Sequence, residues 1–141
     1  MDVITRIVEA RQGTGRIIAG IRRDGVQSAE SVAASFGLHG GSDIYFEIDE
    51  WEAASIIAHV MNKDMAYAIE ILPVHEAREL AEGFMRQFSG EKAKYYTNGT
   101  FGKPGLFSGN TWNPATAATF DTGVIVVAQN SVGCVWVMDE D

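Results

Sequence analysis

The chain has 141 residues, 46% of them hydrophobic and 21% charged. These are the proportions of one soluble domain spanning residues 1–141, not of a disordered or fibrous chain. The net charge of −8 disfavours nucleic acid, whose non-specific capture needs many Lys and Arg contacts to phosphate. A single cysteine, Cys134, excludes an intrachain disulfide and a multi-cysteine zinc site, and its solitude fits a reducing compartment.

The charge is unevenly placed. Residues 1–24 carry five Arg against three acids, whereas residues 43–82 carry ten acids against two bases. The acidic middle suits a basic protein partner, or serves solubility alone. The opening stretch, MDVITRIVEARQ, lacks the apolar core of a signal peptide, and no run reaches the ~18 apolar residues of a membrane span. A cytoplasmic protein with no membrane association is therefore expected.

In chain order, Val3, Ile4, Ile7 and Val8 share one face of a short helix over 3–11, which Gln12-Gly13-Thr14-Gly15 breaks. That glycine turn lacks the spacing of a P-loop or a Rossmann turn. Residues 16–23 read as a strand or as a second helical turn. Ser28 is placed to cap a helix over 29–36, with Val32, Ala33 and Phe36 inward. Residues 43–48 alternate, Ile44, Phe46 and Ile48 against Tyr45 and Glu47, which predicts a strand. Asp49 and Glu52 have capping-box spacing, and the helix they open should run to about Asn62, burying Ala53, Ile56, Ile57 and Val60.

Tyr67–Leu72 reads as a second strand. Pro73 opens a further helix with an apolar stripe of Val74, Ala77, Ala81, Phe84, Met85 and Phe88, which Ser89-Gly90 ends. Residues 43–88 thus read β-α-β-α. After a short strand near 94–97, Phe120–Ala128 and Val132–Met138 form a hairpin within 119–138, apolar on both parities and so covered on both faces or central in a sheet. Asp139-Glu140-Asp141 reads as a solvated end. The fold class is α+β, or α/β, with helices packed on one mixed sheet.

Residues 92–118 stand apart. Glycines 99, 102, 105 and 109 and prolines 104 and 114 are interleaved with Tyr95, Tyr96, Phe101, Phe107 and Trp112. Compact domains seldom keep so long an irregular stretch unless it binds something or folds back to cover a sheet edge. Glycine lets a backbone approach a ligand, aromatic rings supply stacking area, and amide tips supply directed hydrogen bonds. The candidate ligand-binding residues are Tyr95, Tyr96, Asn98, Phe101, Trp112 and Asn113.

Signals for chemistry are sparse. His39, His59 and His75 have no metal-site spacing, so no metal and no cofactor is expected. Cys134 lies mid-strand, where a thiol usually acts as a small hydrophobe. Glu47 and Glu70 are lone charges in apolar strands. If those strands are neighbours, the two carboxylates share a face and can raise one another's pKa, or they simply face solvent. Asp121 is the odd acid opening an apolar strand. These three are the candidate catalytic groups. The leading expectation is a small acidic binding or inhibitory protein, of the immunity or phage counter-defence type, using the 92–118 segment to hold a basic protein or a small molecule. The alternatives are a small carboxylate-based enzyme beside that segment, or a homo-oligomeric subunit joined through the hairpin.

Overall fold

A computed structural model of the chain describes residues 2–25, 27–99 and 112–141. Among them the elements run α1 (Val3–Ala10), β1 (Arg16–Arg23), α2 (Ala29–Ser35), β2 (Phe46–Ile48), α3 (Glu50–Asn62), α4 (Val74–Arg86), β3 (Ala93–Thr97), β4 (Phe120–Ala128) and β5 (Ser131–Asp139). The strands form one sheet in the order β1-β5-β4-β3-β2. The mixed α+β class holds, but every pairing is antiparallel, so the sheet is not mixed.

The reason is local. Parallel neighbours require a β-α-β crossover, and the expected strand at Tyr67–Leu72 does not form. Its amides are taken elsewhere: the Asp64 carboxylate accepts from the Tyr67 and Ile69 N–H groups at 2.9 and 2.6 Å. Side-chain capture of this kind competes directly with a strand ladder. A single bridge, Lys63 to Glu70, remains. Ala68 at the tip takes the left-handed conformation, φ 56°, and Tyr67 and Ile69 stand 63% and 65% exposed. Residues 43–88 are therefore β-α-α, and β2 pairs instead with β3, Glu47 opposite Tyr96.

The sheet is covered on both faces. On one, α1, α3 and α4 bury Ile7, Ile56, Ile57, Met61, Leu80 and Phe84 against Val124, Val126 and Val135. On the other, α2 and the segments around Tyr45 and Ala115 enclose Val32, Ile125, Cys134 and Trp136. The β4–β5 hairpin is the centre of this sandwich, which accounts for its apolar character on both parities. The two strands approach very closely at Gly123, where an added Cβ would lie 1.9 Å from the Val135 carbonyl oxygen. Glu91 braces the hairpin turn, accepting from the Asn130 amide and the Ser131 hydroxyl at 2.7 and 2.9 Å.

Asp49 caps α3 as its spacing with Glu52 predicts, Oδ1 accepting from the Glu52 amide at 2.7 Å, and Ala53, Ile56, Ile57 and Val60 are fully buried. Three further expectations are corrected. The strand expected over 43–48 shrinks to Phe46–Ile48, because the Ile44 carbonyl accepts from the Asn113 side chain at 3.1 Å, while Tyr45 turns inward and donates its hydroxyl to the His39 carbonyl at 2.5 Å. Val74 leaves the predicted α4 stripe and is exposed, Leu80 being buried in the helix. Asp139 is buried rather than solvated, held by Arg11 at 2.6 and 3.0 Å.

Candidate functional site

Asp121, the acid that opens β4, is fully buried. Its carboxylate accepts from Asn98 Nδ2 at 3.1 Å, Trp136 Nε1 at 3.0 Å, the Ala115 amide at 3.1 Å, and the Thr116 amide and hydroxyl at 3.3 and 3.1 Å. All of these donors are neutral. Hydrogen bonding of this density compensates a charge taken out of water. Asn98 extends the network, donating to the Asn113 carbonyl at 2.8 Å and accepting from Thr122 Oγ1 at 2.8 Å. The Asn113 amide returns a bond to the Asn98 carbonyl at 2.8 Å, and Gly99 and Trp112 form a bridge. The two roots of the 92–118 segment are thus zipped together above Asp121. The Asn113 side chain ties them to Ile44, and Trp112 rests on Phe120 with ring centroids 5.6 Å apart.

The candidate residues fall into different surroundings. Tyr95 packs on the α3–α4 side of the sheet and Tyr96 on the α2 side, as successive strand residues must, so they cannot stack on one ligand together. Burial raises both hydroxyl pKa values, with Glu50 adding for Tyr95 and Glu47 and Glu30 for Tyr96. Asn98 and Asn113 are tied within the protein, and Phe101 lies outside the described residues. Glu47 is on β2 at one edge of the sheet, whereas Glu70 shares a shallow recess with the Gly13–Gly15 turn leading into β1, at the other edge. The two carboxylates therefore do not lie on neighbouring strands.

His39 and His75 are exposed. His59 is half-buried, and burial, with Lys63 and Arg11 adding positive charge, pushes its pKa down to about 4. Cys134 is sealed in the core, and burial drives its thiol pKa up, opposite to what a nucleophile needs. No group of three or more His, Cys, Asp or Glu among the described residues is placed to hold a metal ion, and no helix among them is long and apolar enough to cross a membrane.

One accessible feature lies outside the candidate residues expected from the sequence. Trp51, 64% exposed, stands in a groove along α3 and α4. On one side is a recess of about 650 Å³ lined by Asp49, Glu50, Glu82, Met85 and Arg86. On the other, a second hollow is lined by Ala54, Ala58, Ala81 and Val74 together with His59, Asn62 and Arg78. The signal was present in the sequence. Trp51 lies nine residues before Val60, which at ~100° per residue puts it about 180° from the buried face of α3. A large aromatic out of phase with its own helix's core stripe is left in solvent.

Comparison with known proteins finds no matching family model, no matching curated protein and no matching solved structure.

Proposed function

We propose that the protein is a small acidic binding or inhibitory protein of the cytoplasm, of the immunity or counter-defence kind, and that it captures a basic protein partner on the face formed by α3 and α4. The observation that carries this reading is Trp51, held in solvent on a capped helix with Asp49, Glu50 and Glu82 in the same recess. Tryptophan is among the residues most enriched where interfaces concentrate their binding energy. The surrounding segment, residues 43–82, has an excess of acids equal to the whole net charge of −8. Acids around an aromatic anchor steer a basic partner and suppress wrong ones. Asp121 supports the same reading, since both of its oxygens are already engaged by structural donors in a closed interior.

The test is capture from a lysate of the source cells by wild-type protein and by Trp51→Ala. A basic protein retained by the wild type and lost by the variant supports the proposal. The same proteins retained by both contradict it.

A second reading, capture of a small molecule by the 92–118 segment, is favoured by the clamp that joins its roots at Asn98 and Asn113. Preorganised roots lower the entropy cost of holding a ligand. Native mass spectrometry separates the readings: a mass excess over the bare chain, lost on denaturation, favours the small molecule.

A further inference from the structure

The groove on α3 and α4 has a definite chemistry at its Trp51 end. The indole is exposed over most of its surface, so a planar group has room to stack on it. Three carboxylate residues, Asp49, Glu50 and Glu82, line the adjoining recess against one cation, Arg86. All four are exposed. One oxygen of Asp49 is occupied by the Glu52 amide, whereas no internal hydrogen bond is described for the Glu50 or Glu82 carboxylate. An aromatic face beside an excess of carboxylates attracts a cation through the ring quadrupole and through charge at once. Of the two cationic side chains, arginine is the better match. Its guanidinium is flat, more weakly hydrated than an ammonium, and able to stack while its edge hydrogen-bonds to carboxylate.

We propose that the Trp51 recess is a receptor for an arginine side chain of the partner, the rest of the partner's segment lying along the second hollow toward Val74. This rests on the reading of the protein as a binder of basic proteins and names the group that anchors the partner. Uncharged residues suit the hollow, because Ala54, Ala58, Ala81 and the exposed Val74 line it beside His59, Asn62 and Arg78, and the Arg78 cation repels a second basic side chain.

The probe is the peptide acetyl-Leu-Arg-Ala-Leu-Arg-Ala-amide, with its lysine and citrulline counterparts; citrulline keeps the shape of arginine without the charge. The readout is the Trp51 indole N–H resonance, assigned by its loss in Trp51→Leu. The expected result is a saturable shift with the arginine peptide, at least fivefold weaker binding of the lysine peptide, and none of the citrulline peptide. Glu50→Gln with Glu82→Gln should weaken binding at least fivefold, and Arg86→Gln should tighten it. The proposal is overturned if the Trp51 resonance does not move, if citrulline binds as well as arginine, or if lysine equals arginine. Trp51 is exposed, so Trp51→Leu should keep the wild-type amide spectrum elsewhere. If backbone amide shifts in α3 and α4 show that this variant binds the arginine peptide undiminished, the receptor is overturned while capture of a basic partner still stands. If the wild-type protein binds neither the arginine peptide nor any basic protein, the broader reading falls too.

Discussion

Arg11 and Asp139, 128 positions apart in the chain, form a buried ion pair with N–O distances of 2.6 and 3.0 Å. The pair fastens the end of β5 to the end of α1. It also organises the turn after α3: Arg11 Nε donates to the Val60 carbonyl at 2.9 Å, and Asp139 Oδ2 accepts from the Met65 amide at 2.9 Å. Removing one partner leaves the other charge buried and uncompensated, which costs about 3–5 kcal/mol. Asp139→Ala should therefore lose that much stability in urea unfolding. The double variant Arg11→Met, Asp139→Leu should recover a large part of it, because two apolar groups of similar size strand no charge.

Asp121 is predicted to be structural. Asp121→Asn places an NH2 group where a carboxylate oxygen now accepts, so the Ala115 and Thr116 amides or the Trp136 indole lose an acceptor. An unsatisfied buried donor costs about 1–3 kcal/mol. Hydrogen exchange should accelerate at Ala115, Thr116 and the Trp136 indole, the groups that bond the carboxylate. Unchanged protection there would contradict the structural role.

Ala68 is the only described non-glycine residue with positive φ. The left-handed conformation costs an L-residue about 1–2 kcal/mol, and glycine escapes this at a smaller entropic cost. Ala68→Gly should raise stability by about 0.5–1 kcal/mol, and Ala68→Val should lower it. A loss of stability in the glycine variant would show that the Asp64-held turn is not strained at its tip.

His59 predicts a pH effect of definite sign. Burial holds its folded-state pKa near 4, whereas in the unfolded chain it protonates near ~6.5. The unfolded state thus binds the extra proton in this interval, and stability falls as pH drops from about 6.5 toward about 4. The urea midpoint should decrease more in wild type than in His59→Gln between pH 7 and pH 4.5. Equal decreases would assign the acid sensitivity wholly to other groups.

Where neighbouring residues decide the outcome, the structure was legible in the sequence. The 49–52 capping box and the stripe from Ala53 to Val60 set the start and buried face of α3, and unbroken apolar runs marked β4 and β5 as central. The failures are long-range or competitive. Tyr67–Leu72 has strand composition, but the Asp64 carboxylate takes the Tyr67 and Ile69 amides. Nothing in Asp139-Glu140-Asp141 shows that Arg11 will meet the first of these acids and leave the other two exposed. At the candidate sites, Asp121 was conspicuous as an acid among apolar neighbours, yet its role depends on Asn98, Ala115 and Trp136 converging through three separate segments. Trp51 is legible from helical phase alone, because it stands opposite the buried face of α3.

The proposed partner surface is the acidic, Trp51-anchored face of α3 and α4. Its most direct measurement is the dissociation constant of the captured partner, purified, for wild type and Trp51→Ala at low and high salt. Truncating a central aromatic anchor costs about 2–4 kcal/mol, so affinity should fall at least thirtyfold. Wild-type binding should also weaken as salt screens the surface charges. Equal affinity of the two proteins, or binding indifferent to salt, would contradict the account.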